Sequence, residues 1–217
     1  MARPAQPILS AEIITVAALR AVDATGDFTM PGIAKELGVR PSSLYTHVSG
    51  RAEIVELMRM RLLSGIPVAD ESQGWSKRVA SMAWEYRRTA AKHWRLIPLL
   101  AAHTARTGAV FGIDNALAQA FSDGGLAPAE VLHAISTLDS LVIGSVLDLA
   151  TPDVVWTEAP NANEAMAAAL ATSGPNPGRA DAAFEFGLRT LITGWLAQAL
   201  TGVLDSAAIS VPGNAAV

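Results

Sequence analysis

The stretch TMPGIAKELGVRPSSLYTHVSGR, residues 29–51, predicts two short helices joined by a tight turn. Thr29 is suited to begin the first helix, because a threonine hydroxyl accepts hydrogen bonds from the free backbone N–H groups of a first helical turn. Pro31 falls in that turn, where a missing N–H costs nothing. Gly38 is suited to end the helix, since glycine adopts the left-handed conformation without strain.

The second helix is predicted to begin at Pro41 and to have one apolar face. Leu44 and Val48 lie four residues apart, so they face inward together. The outward side chains are mostly short and hydrogen-bonding: Arg40, Ser42, Ser43, Tyr45, Thr46 and His47. A short helix with such an outer face, placed after a tight turn, is what a helix-turn-helix presents to the major groove of DNA.

The longer stretch LGVRPSSLYTHVSGRAEIVELM, residues 37–58, resembles the DNA-binding signature of the tetracycline-repressor family. That signature is a leucine-glycine-valine turn, a short recognition helix ending in leucine-tyrosine-x-histidine-valine, and then a basic residue and the next helix. The resemblance implies an all-α chain. A three-helix helix-turn-helix head would precede a larger helical domain for ligand binding and dimerisation.

The resemblance also implies roles for nine residues between Thr29 and Arg51. Four positions match phosphate contacts: Thr29, Tyr45, His47 and Arg51. Five match base reading: Arg40, Pro41, Ser42, Ser43 and Thr46. A cation at the start of a helix opposes the macrodipole, so a phosphate is the better explanation for Arg51. For Tyr45 and His47 the alternative is a packing role.

One position departs from the tetracycline-sensing branch of the family. Pro31 stands where that branch has an arginine that reads guanine. We therefore expect a different operator and weaker direct readout.

The charge is divided unevenly along the 217 residues, whose net charge is −4. Residues 1–65 hold seven Lys/Arg and six Asp/Glu, whereas the rest holds nine and fourteen. Because phosphate neutralisation supplies most non-specific affinity for DNA, only the N-terminal part suits DNA. Its binding is expected to depend on a few placed contacts and on dimerisation.

Cysteine is absent, which excludes disulfides and thiolate metal sites. The four histidines show no i, i+4 pairing, so neither a metal nor a cofactor is predicted. No uninterrupted apolar run reaches the ~20 residues that span a bilayer. These features predict a cytoplasmic protein with no membrane partner.

Helical periodicity continues through the rest of the chain. The predicted helices after the head cover residues 51–64, 75–93, 94–103, 107–122, 128–150, 163–171 and 180–201, and the first helix of the head is predicted at 10–25. We predict a helix-turn-helix domain at 1–50, a linking helix and loop at 51–74, and a ligand-binding and dimerisation domain at 75–217.

Two long helices, about 128–150 and 180–201, are apolar beyond a single stripe. A helix of this kind must be buried on several sides, and a second subunit is the simplest cover in a domain of this size. We therefore expect a homodimer through a four-helix interface. Small residues would allow close approach there: Gly144, Ser145, Gly187 and Gly194. The alternative is a large core within one chain.

The stretches GWSKRVASMAWEYRRTAAKH and GLAPAEVLHAISTLDSLVIGSVLDLA are similar to the ligand-binding domain of the tetracycline-sensing branch. The polar clamp of that branch is mostly missing, because its positions match Pro67, Met82, Tyr86 and about Leu100. A magnesium–tetracycline ligand is therefore not expected. A more apolar or aromatic molecule is indicated. The candidate pocket residues are Met82, Trp84, Tyr86, Leu100, His103, Phe111 and Trp156.

The sequence thus predicts a ligand-responsive, homodimeric transcriptional regulator. Its partners would be a palindromic operator in double-stranded DNA and a small effector, most simply one that releases the repressor from that operator. The alternatives are a DNA-binding dimer without an effector, a small-molecule carrier that has lost DNA binding, and a helical enzyme. An enzyme would need a nucleophile–base or carboxylate pair that the apolar helices do not offer.

Overall fold

The computed structural model describes residues 9–103, 112–151, 161–172 and 178–201. These residues form helices and turns without a strand, which confirms the all-α prediction. The ten helices of the described ranges are α1 (Ala11–Thr25), α2 (Met30–Leu37), α3 (Pro41–Leu44), α4 (Arg51–Ser64), α5 (Trp75–Ala91), α6 (Leu96–Ala101), α7 (Gly112–Asp123), α8 (Pro128–Asp148), α9 (Glu164–Ala171) and α10 (Arg179–Thr201).

The helix ends in the head follow the local chemistry. The Ser10 hydroxyl accepts from the Ile13 N–H at 3.2 Å and caps α1. The Thr29 hydroxyl accepts from the Gly32 N–H at 3.1 Å and caps α2. Gly38 ends α2 in the left-handed region, with φ of 68°, so the predicted turn is confirmed.

The recognition segment is shorter as a helix than the sequence suggested. Regular α3 stops at Leu44, and the chain continues as a turn in which the N–H groups of His47 and Val48 both donate to the Leu44 carbonyl. Leu44 and Val48 are nonetheless buried, as their spacing predicted. The apolar inner face of the segment therefore stays buried, although the backbone after Leu44 is a turn and not a helix.

Helix α4 packs both on the head and on the second, larger part of the molecule, which is formed by α5 to α10. It lies against α1 of the head and also against α5, α6 and α7. The second part is built on α5, which packs between α7 and α8, while α10 packs on α8. The predicted domain division at residues 50 and 74 stays a prediction.

Arg87 joins three helices of the second part. Its guanidinium is buried, donates from Nε to the Ser145 hydroxyl and from Nη1 to Asp181, both at 2.7 Å, and lies 4.9 Å from the Phe184 ring centre. Ser145 thus serves packing within the chain. So does Gly187, where a Cβ would lie 2.9 Å from the Leu141 side chain. The structure gives Gly144 and Gly194 open space.

Helix α8 is the one described helix that is long and apolar enough to cross a membrane by length and composition alone. Its apolar sequence is interrupted by Glu130, His133 and Asp139. In the fold α8 packs against α5, α7 and α10. It is therefore a core helix of the second part that keeps one exposed side.

Gly124, at the end of α7, allows the Trp75 ring to pack where α5 begins. A Cβ on residue 124 would lie 2.6 Å from the ring. We expect Gly124→Ala to lower the free energy of unfolding by about 1 to 3 kcal/mol, because the rigid indole must be displaced. Urea denaturation measures this. Gly65→Ala is the control, since its Cβ would meet only atoms at 3.5 Å, and it should unfold at the same or slightly higher urea concentration. Equal stability of the two variants would contradict the tight packing of Trp75.

Candidate functional site

The first candidate site is the outer surface of α3 and the turn that follows it. Apart from Ser43, which is half-buried, the residues predicted to read bases are exposed: Arg40, Pro41, Ser42 and Thr46. Tyr45 is 55% exposed and His47 is also exposed. Since neither Tyr45 nor His47 is buried, the alternative of a core packing role for them loses its support.

The Thr46 hydroxyl has a defined orientation on this surface. It donates to the Ser43 carbonyl at 2.7 Å. Its proton is therefore used inside the protein, and its lone pairs remain as acceptors toward the outside. A hydroxyl held in this way suits a donor group on a base edge, such as the amino group of adenine or cytosine.

Arg51 differs from its predicted role, because its guanidinium is engaged within the head. It donates to the Phe28 carbonyl at 2.5 Å and to the Asp27 carboxylate at 2.6 Å, and it lies 4.3 Å from the centre of the Phe28 ring. The hydrogen bond from Arg51 also lowers the pKa of Asp27. These contacts explain a cation at the start of α4 without a phosphate, so the phosphate contact of Arg51 stays a prediction.

The described part of the head and helix α4 carry few uncompensated positive charges. Within the head an ion pair joins Arg20 to Glu36, and on α4 ion pairs join Arg51 to Asp27, Arg59 to Glu56 and Arg61 to Glu12. In the described part of the head, Lys35 and Arg40 are the cations without an ion pair, and both are exposed. They are the residues best placed to supply attraction for a phosphate backbone.

The second candidate site is a cavity of about 400 Å³ in the larger part of the molecule. This volume lies in the range of small-molecule sites. Helices α4 to α8 contribute the described wall, which is mainly aliphatic: Leu62, Leu63, Ile97, Leu100, Ala101, Ile113, Leu117, Ile135, Leu138 and Ile143. The polar members of the wall are Arg59, Tyr86, Asp114, Ser136 and Asp139.

A tyrosine–aspartate hydrogen bond forms part of the polar wall. The Tyr86 hydroxyl on α5 donates to Asp139 Oδ1 on α8 at 2.6 Å. Burial raises the pKa of both groups, and the negative charges of Asp139 and Asp114 add to the rise at Tyr86. For Asp139 the hydrogen bond from Tyr86 works against the rise and the charge of Asp114 adds to it. The site thus holds one carboxylate, that of Asp139, under a desolvation penalty.

Arg59 connects the cavity to the helix that leaves the head. From α4 it donates through Nη2 to the carbonyls of Leu100 at 3.0 Å and His103 at 2.8 Å, at the end of α6. Its Nε lies 3.3 Å from Glu56, about one turn earlier on α4. One side chain in the cavity wall therefore holds α4 against the end of α6.

The predicted pocket residues divide into three groups. Tyr86 and Leu100 line the cavity. Met82 is packed in the core, and Trp84 lies edge-on to Phe184 at 4.8 Å, so neither belongs to the described wall of the cavity. His103 contributes its carbonyl to Arg59, and its ring Nδ1 lies 2.9 Å from the Leu99 carbonyl rather than in that wall. Phe111 and Trp156 lie outside the described residues.

Sequence reasoning missed Arg59, Asp114, Ser136 and Asp139. The two aspartates carry a signal, because each is a charge inside an otherwise apolar helical segment. Arg59 carries none, since an arginine on α4 looks like any solvated residue until α6 is placed beside it. Within the described ranges, no group of three or more His, Asp or Glu side chains is arranged to hold a metal ion.

Comparison with protein families and curated proteins gives consistent matches. The family model described as "Tetracyclin repressor-like, C-terminal domain" matches residues 66–199. The HTH-type transcriptional repressor DrrR1 of Streptomyces coeruleorubidus is 30% identical over 151 residues, which are 66% of this chain and 54% of that protein. The chain thus spans about half the length of this relative. An HTH-type transcriptional regulator of Saccharopolyspora erythraea is 29% identical over 217 residues, covering 89% of this chain and 87% of the relative.

Solved structures show the same fold. Apo ActR from Streptomyces coelicolor has a TM-score of 0.75 at 23% identity, covering 90% of this chain and 98% of that one. ActR has also been solved in complex with actinorhodin, at a TM-score of 0.73. BioQ of Mycobacterium smegmatis, solved with its double-stranded DNA operator, has a TM-score of 0.64 at 22% identity, covering 88% of this chain and 99% of that one.

The contacts of Arg51 predict a structural role that can be measured. We expect Arg51→Met to lower the free energy of unfolding by about 1 to 2 kcal/mol, because it removes the hydrogen bond to Phe28 and the cation–π contact. Thermal and urea unfolding measure this. Arg20→Met is the control, since Arg20 forms a surface ion pair and is 70% exposed, and it should change stability by no more than about 0.5 kcal/mol. If the two variants were equally stable, Arg51 would be free for a phosphate.

Proposed function

The chain belongs to the tetracycline-repressor family of DNA-binding transcriptional regulators, and we propose that it is a homodimeric repressor which a small, largely apolar effector releases from a palindromic operator. The relatives are transcriptional regulators and not enzymes, so the enzyme alternative is set aside. One observation carries the proposal: α4 begins at the helix-turn-helix, and its later turns form part of the cavity wall.

The proposed DNA contacts use the exposed surface of α3. Phosphates are bound by Arg40 and Lys35 as cations and by the hydroxyl groups of Thr29 and Tyr45. Base edges are read by Pro41, Ser42, Ser43 and Thr46, with His47 at the margin of the surface as a further phosphate contact. Arg51 contributes by holding the segment before α2. Hydroxyl groups are tolerant readers, so specificity depends on two half-sites read together.

The proposed dimer forms through α8 and α10. Large apolar side chains of these helices are exposed in the single chain, with Leu132 at 71% and Phe186 at 63%. Leu147 and Leu196 are exposed on the same two helices. The open space at Gly144 and Gly194 allows a second helix to approach closely. Apolar exposure of this kind is typical of a protein–protein interface, and it favours a dimer over a large core within one chain.

Two further parts of the proposal concern the surroundings of the protein. A second subunit, rather than a bilayer, covers the exposed side of α8, because that side also carries Thr137 and Ser140. We therefore place the regulator in the cytoplasm, with access to DNA. The cavity supports a regulator with an effector over one without, since about 400 Å³ of largely aliphatic space lies within the domain.

The proposed mechanism couples the cavity to the head through Arg59. An effector that fills the cavity changes the distance between α4 and the end of α6, which Arg59 now fixes. Because α4 starts at the head, its displacement changes the separation of the two recognition segments from the ~34–36 Å that successive major grooves require. By linkage, the effector weakens DNA binding only by its preference for the displaced conformer, typically ~1–3 kcal/mol.

The repressor proposal is tested by selection from a random double-stranded DNA library, followed by footprinting of the best sequence. We expect a protected palindrome whose half-sites are about one helical turn apart. The logarithm of affinity should fall linearly with the logarithm of salt concentration. Arg40→Ala should make that slope shallower by about two units, since one phosphate contact is lost in each of the two half-sites. Lys77→Ala, an exposed cation on α5, should leave it unchanged. No enrichment, or protection without two-fold symmetry, would contradict the proposal.

The coupling role of Arg59 predicts a separation of binding from release. Compounds that raise the melting temperature of the wild-type protein are first selected from a library. We expect Arg59→Met to require at least about fivefold more of such a compound for half-release of the operator, relative to its dissociation constant, because the link between α4 and α6 is lost. Arg61→Met is the control on the same helix. An unchanged ratio in Arg59→Met would show that the signal takes another route.

A further inference from the structure

The early end of α3 leaves the Ser43 carbonyl to a side chain. In a continuing α-helix the N–H of His47 would donate to the carbonyl of Ser43, four residues earlier. Here the N–H groups of His47 and Val48 both donate to the Leu44 carbonyl, at 2.9 and 3.1 Å. The Ser43 carbonyl accepts from the Thr46 hydroxyl instead, at 2.7 Å. The change from helix to turn therefore gives the Thr46 hydroxyl a fixed partner inside the protein.

This partner restricts what the Thr46 hydroxyl offers to a molecule outside the protein. A threonine hydroxyl has one proton and two lone pairs. Because the proton is used toward Ser43, an exposed Thr46 presents lone pairs alone. Turning the proton outward would break this hydrogen bond, and at an interface with DNA the Ser43 carbonyl would then be covered without a donor. Thr46 is therefore an acceptor on the reading surface.

Ser42 shows the contrast on the same surface. It is exposed, and in the described part of the chain its hydroxyl makes no hydrogen bond to another group of the protein. Its proton is available, so it pairs with either a donor or an acceptor on a base edge. Two neighbouring hydroxyl groups are thus suited to read DNA differently: Ser42 is tolerant, whereas Thr46 accepts one chemical type.

The major-groove edges of the four bases fall into the two types that an acceptor distinguishes. Adenine carries an amino donor at N6 and cytosine carries one at N4. Guanine and thymine carry the carbonyl acceptors O6 and O4 in the corresponding places. An oxygen that only accepts pairs with the amino groups. Against a carbonyl it places two acceptors together, with no proton between them.

We propose that Thr46 is a specificity-determining residue that selects adenine or cytosine over guanine or thymine at one position of each operator half-site. This rests on the proposed function, which places the surface of α3 in the major groove. The amino group of the base is the feature that is recognised. Because each subunit reads one half-site, the preference occurs at two symmetry-related positions of the operator.

Side-chain variants separate the hydroxyl from the shape of residue 46. Operators are selected from a random library with the wild-type protein, Thr46→Val and Thr46→Ser, and their base frequencies are compared position by position. Valine keeps the shape without the hydroxyl, so the preference for adenine or cytosine should be lost at one position of each half-site. Serine keeps the hydroxyl and should retain that preference. Ser42→Ala is the control on the same surface, and it should leave the preference at that position unchanged.

Base analogues test the hydrogen bond itself. In both half-sites of the selected operator, the preferred base is replaced by an analogue without the amino group, which is purine for adenine or pyrimidin-2-one for cytosine. We expect the wild-type protein and Thr46→Ser to bind the substituted operator about tenfold more weakly, because one hydrogen bond is lost in each half-site. Thr46→Val should bind both operators within about twofold. Weaker base pairing in the substituted operator affects all variants equally, so it cancels in this comparison.

The outcomes distinguish this inference from the repressor proposal. An equal loss in Thr46→Val and the wild-type protein, or a wild-type preference for guanine or thymine at the position that changes in Thr46→Val, would overturn the role of Thr46 and leave the repressor proposal standing. Binding of the substituted operator by the wild-type protein without loss would do the same, and it requires no variant to fold. Failure of the wild-type protein to select any operator would overturn both.

Discussion

The continuity of α4 is the constraint on which the rest of the structure depends. One stiff helix carries Arg51 at its first turn, against Asp27 and Phe28 of the head, and Arg59 two turns later, against the end of α6. At about 1.5 Å of rise per residue, these two anchors are only ~12 Å apart. A shift imposed at one anchor therefore reaches the other with little opportunity to dissipate. The head and the cavity therefore contact the same helix within about two turns of each other.

The larger part of the molecule is organised to keep α5, α8 and α10 in register while leaving a space beside them. Arg87 is buried with partners on α8 and α10, and it lies against the rings of both Trp84 and Phe184. A buried guanidinium tolerates little displacement, because each broken hydrogen bond leaves a desolvated donor. The rigidity on this side explains why the cavity opens on the other side of α5, toward α4, α6 and α7, where aliphatic contacts can adjust.

The local parts of this fold were readable from sequence, and the long-range parts were not. Thr29, Gly38 and the Leu44–Val48 spacing act through neighbouring residues, so the helix-turn-helix was predicted correctly. The role of Arg51 depends on residues 23 and 24 positions earlier, and Tyr86 finds Asp139 a further 53 residues along the chain. Periodicity does not record such pairs. Trp84 was assigned to the pocket because aromatic residues suit ligands, but its ring partner Phe184 on α10 could be identified only from the packing of the helices.

Because the head carries little net charge, a small coupling free energy between the cavity and the DNA-binding surface is enough to change DNA binding. Most described arginines of the head and of α4 are neutralised by ion pairs with Asp27, Glu36, Glu12 or Glu56, so little non-specific attraction holds the protein on DNA. A strongly basic head would stay bound after a conformational change worth ~1–3 kcal/mol. A dimer whose binding depends on two correctly spaced half-sites would dissociate, since the loss of that spacing removes half of its DNA contacts at once. The acidic composition of the chain is therefore compatible with a regulator that releases DNA in response to a modest signal from the cavity.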